Sequence, residues 1–229
     1  MIAVEPVVME GVIVLDKPAG QTSARCVRAI KHLLPHGTKI GHAGTLDQFA
    51  TGVLLLLIGK ATKRCEMLMG QAKTYEATIK LGATTASDDP ETPEVVNSKA
   101  VPVTREQIER VLPNFVGTIQ QRPPNFSALK VSGRRASDRV RAGQSLELQP
   151  RAVRIDRIEL LEYDWPLLRL RIDCGRGTYI RALARDVGET LNVGGYLTEL
   201  RRTRIGDYDI RNAVTLEELR SSGVERYLI

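Results

Sequence analysis

The 229-residue chain is predicted to fold as an α+β protein. Segments typical of strands and of helices follow one another irregularly, without the strand–helix–strand repeat of a doubly wound parallel sheet. Residues 153–163 and 167–174 are two strand-like segments that flank Asp164, Trp165 and Pro166, a sequence typical of a hairpin turn. Aromatic residues make up only 4% of the chain, so leucine, isoleucine and valine must supply most of the core.

The first third of the chain is predicted to contain strands around one helix. Short apolar or alternating segments of the kind that form strands occupy residues 12–15, 53–58 and 74–81. A turn is predicted at residues 17–20, directly after the first strand. Ser23 then stands where it can cap a helix that Pro35 and Gly37 end.

The rest of the chain adds three helices and a strand. Thr104 and Thr178 stand where they can cap predicted helices, and a last short helix is predicted to start near Thr215. Gln107 completes a capping box with the first of these, and Pro113 ends that helix. Residues 196–204 predict a strand. The acidic segment at residues 87–94 contains two prolines and is predicted to be a solvated loop.

Composition argues against a membrane or metal protein. The longest apolar run has six residues, whereas a membrane-spanning helix needs about 20. The first ten residues lack the basic start of a secretory signal, so a cytoplasmic location is predicted. Three cysteines, none in a CxxC pair, and three histidines do not form a recognisable ligand set, so no metal site is predicted.

The positive charge is concentrated in the second half of the chain. The net charge is +6, of which residues 116–229 carry +5, and 24 of the 33 basic residues are arginine. Arginine pairs well with phosphate oxygens and stacks on bases, so a nucleic-acid partner is one interpretation. A solvated basic surface is the other, and charge alone does not choose between them.

A glycine-rich segment at residues 41–52 carries one carboxylate and one histidine directly before an apolar strand. Glycines allow close approach of backbone to a ligand, and loops at strand ends often carry reactive groups. Asp47 can therefore be a catalyst or, as is more common for an aspartate in a loop, a capping residue. His42 can likewise be functional or a hydrogen-bonded structural residue. No Gly-Lys-Ser/Thr follows, so the segment is not a phosphate-binding P-loop.

Two further segments are candidates for binding. Tyr179 and Arg181 open a predicted helix after a glycine-flanked turn, where an anion would be favoured; core packing and an ordinary surface arginine are the alternatives. Residues 124–141 form a basic stretch with one aromatic residue, which is consistent with contacts to an RNA backbone without being diagnostic.

Taken together, these segments resemble the TruB family of tRNA pseudouridine synthases over nearly the whole chain. Six pieces in family order carry the resemblance: residues 11–18 (GVIVLDKP), 41–52 (GHAGTLDQFATG), 73–75 (KTY), 127–130 (SALK), 177–181 (GTYIR) and 200–203 (LRRT). The resemblance implies a mostly antiparallel sheet flanked by helices, with a catalytic cleft across it. It also implies isomerisation of uridine-55 in the T loop of tRNA to pseudouridine.

The resemblance also assigns roles. Asp47 matches the essential catalytic aspartate and Arg181 the arginine paired with it. The residues that match the binding pocket are Tyr75, which stacks on the base, Tyr179 and Leu200, which line the pocket, and His42, which fills the space left by the flipped nucleotide. RNA contacts are expected from Lys130, Arg134 and Arg135. Asp89 either approaches the pocket, as the family loop does, or stays in a solvated loop.

Further expectations follow from the resemblance and from where the sequence departs from it. The isomerisation is redox-neutral, so neither cofactor nor metal is expected. The predicted partner is the T arm of tRNA. The protein is expected to be a monomer that binds neither a membrane nor an obligatory protein partner. Gln48 replaces the usual proline, which predicts a less rigid loop. Residues 1–229 are expected to be one catalytic domain without a C-terminal PUA domain. A tRNA-folding or RNA-binding module without catalysis is the main alternative, and a guide-RNA-dependent enzyme is the third.

Overall fold

The computed structural model describes residues 9–127, 129–131 and 133–229, with the side chains of Lys130, Val131 and Arg135 outside the description. In this part of the chain the strands are β1 (Gly11–Lys17), β2 (Ile40–Ala43), β3 (Thr51–Ile58), β4 (Lys73–Leu81), β5 (Ala83–Thr85), β6 (Glu94–Val96), β7 (Gly117–Gln121), β8 (Lys130–Val131), β9 (Arg134–Arg135), β10 (Arg151–Asp164), β11 (Leu167–Cys174), β12 (Gly195–Ile205) and β13 (Tyr208–Asp209). The α-helices are α1 (Ser23–Lys31), α2 (Cys65–Gly70), α3 (Arg105–Val111), α4 (Ala136–Arg141), α5 (Ile180–Thr190) and α6 (Leu216–Ser222). The strands pair mostly antiparallel, which confirms the predicted α+β class. No helix among the described residues is long and apolar enough to cross a membrane.

The chain divides into two units. The second unit is Glu76–Leu200, and the first consists of the described residues on either side of it, up to Tyr75 and from Arg201. The unit boundaries fall within β4 and within β12.

The first unit is built on β3. Strand β1 pairs antiparallel with it from Gly11 opposite Ile58 to Lys17 opposite Gly52. On the other edge of β3, β2 pairs antiparallel and the end of β12 pairs parallel, with Arg201 opposite Thr51. The parallel pair is therefore placed directly at the start of β3, where the 44–50 loop joins it.

The two faces of β1 and β3 bury separate apolar clusters. One face packs against α1 and α6 through Ile13, Leu15, Leu54, Leu56 and Ile58. The opposite face, with Val12, Val14, Val53, Leu55 and Leu57, packs against α2 and the end of β12. All six side chains of the predicted 53–58 run are buried, which explains why this strand reads as continuously apolar.

The second unit contains the β10–β11 hairpin, with β7 paired to the outer edge of β10. The hairpin turn is placed as predicted, although Asp164 belongs to β10. Helix α5 buries seven of its eleven residues. It packs so closely on the start of β12 that a Cβ at Gly188 would lie 2.3 Å from the backbone of Gly194 and Gly195. Helix α5 is therefore firmly fixed within this unit.

Two helix caps differ from prediction. Thr22, not Ser23, caps α1, because the Ser23 hydroxyl is used in a long-range contact with Leu46. Thr178 does not cap α5; its hydroxyl donates to the carbonyl of Arg154 instead. The predicted capping box at Thr104 is present, and the helix predicted to start near Thr215 also begins with a capping box.

The acidic 87–94 segment is only in part the solvated loop that its composition predicts, because its second half is mostly exposed whereas Ser87 and Asp89 are buried. Ser87 is fully buried and Asp89 is 2% exposed. The hydroxyls of Ser87 and Thr85 both donate to the Asp89 carbonyl, and Ser87 also bonds to the Thr92 hydroxyl. These hydrogen bonds satisfy the polar groups of Ser87 and of the Asp89 backbone, which makes the burial of these two residues possible.

Candidate active site

Asp47 lies in the 44–50 loop, between β2 and β3 of the first unit. The loop ends are held by Arg202, which is 1% exposed. Its Nη2 donates to the carbonyl of Gly44 and its Nε to that of Val53, both at 2.8 Å. Gly52 has φ +103°, and a Cβ there would lie 2.2 Å from the Arg202 carbonyl oxygen, so this junction requires glycine.

Lys17 ties the same loop to the turn that follows β1. The fully buried ammonium donates to the carbonyls of Pro18 at 2.9 Å, Gln21 at 2.7 Å and Gln48 at 3.3 Å. Burial lowers the pKa of Lys17, and the negative charge of Asp47 acts in the opposite direction. This buried cation, with its three carbonyl acceptors, fixes the backbone of Gln48, the residue next to Asp47.

Ser23 fixes the residue on the other side of Asp47. Its buried hydroxyl donates to the Leu46 carbonyl at 3.2 Å and accepts from the Leu46 amide at 3.0 Å. The Asp47 side chain is half-buried between these two anchored neighbours. The loop is therefore held through its backbone, which leaves the position of the carboxylate well defined.

His42 stands at the β2 end of the same loop. Its Nδ1 is buried and has no hydrogen-bond partner among the described residues. Burial, followed by the nearby Arg202 charge, lowers the pKa of His42, so the imidazole is neutral at pH 7. A neutral, partly apolar ring can occupy a space in a nucleic acid without adding charge.

Arg181 lies in the first turn of α5 in the second unit and is 3% exposed. Its Nη1 donates to Asp89 Oδ2 at 3.0 Å and to the carbonyl of Ser87 at 3.1 Å. Its Nη2 donates to the carbonyl of Phe126 at 3.1 Å. The guanidinium thus joins the 87–94 segment to the basic 124–141 stretch.

Tyr179 and Leu200 belong to the same unit. The Tyr179 backbone exchanges two hydrogen bonds with the side chain of Gln121, which is 1% exposed. Leu200 is buried at 7% exposure in β12. Tyr75 is buried at 8% exposure in β4, as the last residue of the first unit.

Comparison with known proteins decides the family. The family model described as "TruB family pseudouridylate synthase (N terminal domain)" matches residues 31–180, and that described as "tRNA pseudouridylate synthase B C-terminal domain" matches residues 181–227. The chain belongs to the TruB family. It is a pseudouridine synthase and thus an isomerase.

Relatives and solved structures agree with this assignment. The chain is 48% identical over 208 residues to "tRNA pseudouridine synthase B" of Bacteroides fragilis, covering 89% of both chains. It is 46% identical over 217 residues to the protein of that name from Pseudomonas fluorescens, covering 95% of this chain and 70% of the other. A chain in the crystal structure of a Cbf5-Nop10-Gar1 complex is 32% identical in sequence to this chain, and the two superpose with a TM-score of 0.72. This chain spans only 57% of that chain.

For this pseudouridine synthase, the structure places the sequence-predicted residues in two groups. His42, Asp47 and Tyr75 lie in the first unit, and Tyr179, Arg181 and Leu200 lie in the second. The pairing of Asp47 with Arg181 stays a prediction. Arg134 is exposed, as a contact with RNA requires, whereas the side chains of Lys130 and Arg135 lie outside the described residues.

Two arginines at the end of the basic stretch have partners within the protein. Arg141 pairs with Glu91, and its guanidinium lies 5.9 Å from the centre of the Phe126 ring. Arg139 donates to Gln144. The pair between Arg141 and Glu91 attaches the stretch to the 87–94 segment.

Sequence reasoning missed Ser23 and Arg202 as parts of the site and left Asp89 undecided. The sequence predicts Ser23 as a helix cap, and it predicts no individual role for Arg202 within the LRRT segment. A signal was available for Arg202, because consecutive arginines within an otherwise largely apolar strand require partners for any charge that the strand buries.

Ser23→Ala is expected to destabilise the protein by about 1–3 kcal/mol, because the buried amide and carbonyl of Leu46 lose their partner. The single-turnover rate of pseudouridine formation is expected to fall about tenfold as the neighbouring Asp47 becomes mobile. Urea unfolding measures the change in stability, and a time course of pseudouridine formation in quenched samples measures the change in rate. Thr22→Ala, which removes the actual α1 cap, is the matched control and should lower stability without a comparable loss of rate.

Gln48→Pro is expected to leave the single-turnover rate within about threefold of wild type. The Gln48 carbonyl accepts from the Gly20 amide at 2.8 Å and from Lys17, and proline retains that carbonyl. Only the exposed bond from Gln48 Nε2 to Gly20, at 3.2 Å, is lost. A large gain in rate would show that glutamine makes the loop too mobile, as the sequence predicted.

Proposed function

We propose that this chain converts uridine-55 in the T loop of tRNA to pseudouridine. The observation that carries the proposal is the 48% identity to a protein named tRNA pseudouridine synthase B over 89% of both chains. The segments that hold Asp47 and Arg181 in the structure are the ones that carried the resemblance in the sequence. Cytoplasmic tRNA is accordingly the proposed substrate.

The reaction breaks the N1–C1′ bond, turns the uracil and joins C5 to C1′. In the course of it C5 loses its proton and N1 gains one. Asp47 acts first, as an ionised carboxylate, whether it attacks the sugar, attacks the base or initiates elimination to a glycal. A carboxylate that attacks a sugar carbon has a precedent in retaining glycosidases. No electrons are gained or lost overall, so acid–base and nucleophilic groups of the chain suffice.

The remaining predicted residues bind the substrate. A uridine stacked in the T loop must leave the stack, which costs a few kcal/mol. In the proposal Tyr75 offers an aromatic face that returns about 1–3 kcal/mol, and Tyr179 and Leu200 enclose the base. His42, neutral at pH 7, takes the place of the flipped nucleotide, and Arg181 balances the charge of Asp47.

The test is a pseudouridine map of an unmodified tRNA transcript after incubation with the purified chain. A single new pseudouridine at uridine-55, absent from a transcript with cytidine at that position, would support the proposal. Pseudouridine only elsewhere in the transcript would overturn the assigned position. Tight tRNA binding without modification would favour the RNA-folding alternative, which the basic second half also suits.

A further inference from the structure

Two successive aspartates of the 87–94 segment face the same helix. Asp89 pairs with Arg181 at 3.0 Å, and Asp88 pairs with Arg185 at 2.9 Å. The two arginines are four residues apart on α5, which places them one above the other on one helix face. The segment is thus attached to α5 at two neighbouring points.

The backbone of Asp88 makes this double attachment possible. Neighbouring side chains of an extended chain point in opposite directions, so consecutive aspartates would not normally reach one helix face. Asp88 adopts φ +59°, in the left-handed region that residues other than glycine seldom occupy. The resulting turn brings both carboxylates to α5.

Arg185 also connects to the residues around Tyr179. Its Nη2 donates to the carbonyl of Arg122 at 2.8 Å, and its Nε and Nη2 both bond to Asp186 Oδ1. Arg122 directly follows Gln121, whose side chain holds the Tyr179 backbone. One guanidinium therefore links the 87–94 segment, the end of β7 and α5.

We propose that Asp88 and Arg185 are positioning residues, which hold the 87–94 segment so that Asp89 keeps the Arg181 guanidinium in its reactive orientation. This inference rests on the proposed function, because it assigns Arg181 a part in uridine isomerisation. Neither Asp88 nor Arg185 needs to contact the RNA for this role.

The Asp88–Arg185 pair is more accessible to solvent than the Asp89–Arg181 pair. Asp88 and Arg185 border a cleft of about 480 Å³, whose other charged groups are Arg122, Asp186 and Glu189. Burial raises the pKa of Asp88 to about 6, although Arg185 and Arg181 act in the opposite direction, and Asp186 adds to the increase. Ionised Asp88 therefore costs folding stability, a cost that is absent below about pH 4 and complete above about pH 6.

Because ionised Asp88 costs folding stability, a substitution at this position can distinguish a positioning role from a purely structural one. Asp88→Asn removes the ionisation cost, so its melting temperature at pH 7 should equal or exceed that of the wild type. Its single-turnover rate on saturating tRNA transcript should nevertheless fall about tenfold, with KM within twofold. The wild-type rate should decrease as the pH is lowered through about 6, and Asp88→Asn should lack that decrease.

Arg185→Gln should show the same loss of rate, and Arg185→Lys, which can still pair with Asp88, should recover part of it. Arg169→Gln is the control, since it removes another 2.9 Å arginine–carboxylate pair in the same unit, with Glu162. Wild-type rates in Asp88→Asn, or equal losses in the control, would overturn the inference. An inactive wild type would instead overturn the proposed function.

Discussion

Asp47→Asn is expected to lower the single-turnover rate of pseudouridine formation by at least roughly 10³-fold. Asparagine has nearly the shape of aspartate, but its neutral amide is neither a nucleophile nor a base at pH 7. The measurement is the appearance of pseudouridine in a tRNA transcript with enzyme in excess. A variant with wild-type activity would remove Asp47 from the mechanism.

Binding and folding should survive this substitution. Lys17, Ser23 and Arg202 hold the loop through the backbone of Gln48, Leu46 and Gly44, and the exchange of aspartate for asparagine leaves those bonds in place. The Kd for the transcript should stay within about threefold of wild type. Asp209→Asn is a suitable control, because Asp209 is a carboxylate of the same unit that pairs with the exposed Arg211.

Local sequence signals predicted the parts of the fold that depend on local interactions. The capping box of Thr104 and Gln107 involves residues three apart and is present, and the last helix begins near Thr215 as predicted. The buried 53–58 strand follows from its apolar run. The cap of α1 was misplaced by one residue because Ser23 has a partner 23 residues away, in the 44–50 loop. Adjacent Thr22 and Ser23 are equivalent caps by sequence, and only the tertiary contact distinguishes them.

The acidic segment shows the same limit more strongly. Its prolines and carboxylates are typical of a solvated loop, and the residue that changes this outcome is Arg181, 92 positions from Asp89. A buried ion pair depends on both partners, so neither segment alone predicts it. The resemblance to a family identified Arg181 and Asp47, whereas the contacts that hold Asp89 and the 44–50 loop required the structure.

Arg181→Ala is expected to reduce both stability and activity. It leaves the buried Asp89 carboxylate without its cation and the carbonyls of Ser87 and Phe126 without a donor, which should cost about 3–5 kcal/mol in urea unfolding. Arg181→Lys retains the charge, but a compact ammonium cannot reproduce the fork that reaches all three acceptors. Its single-turnover rate should fall by at least about tenfold with a smaller loss of stability.

The double variant Arg181→Ala with Asp89→Asn separates the two roles of this arginine. Replacing the carboxylate by an amide removes the uncompensated charge, so a substantial part of the lost stability should return. The rate should stay as low as in Arg181→Ala, because the cation proposed to balance Asp47 is still missing. If the rate returned together with the stability, Arg181 would act only by keeping the 87–94 segment folded, and the charge partner of Asp47 would have to be another residue.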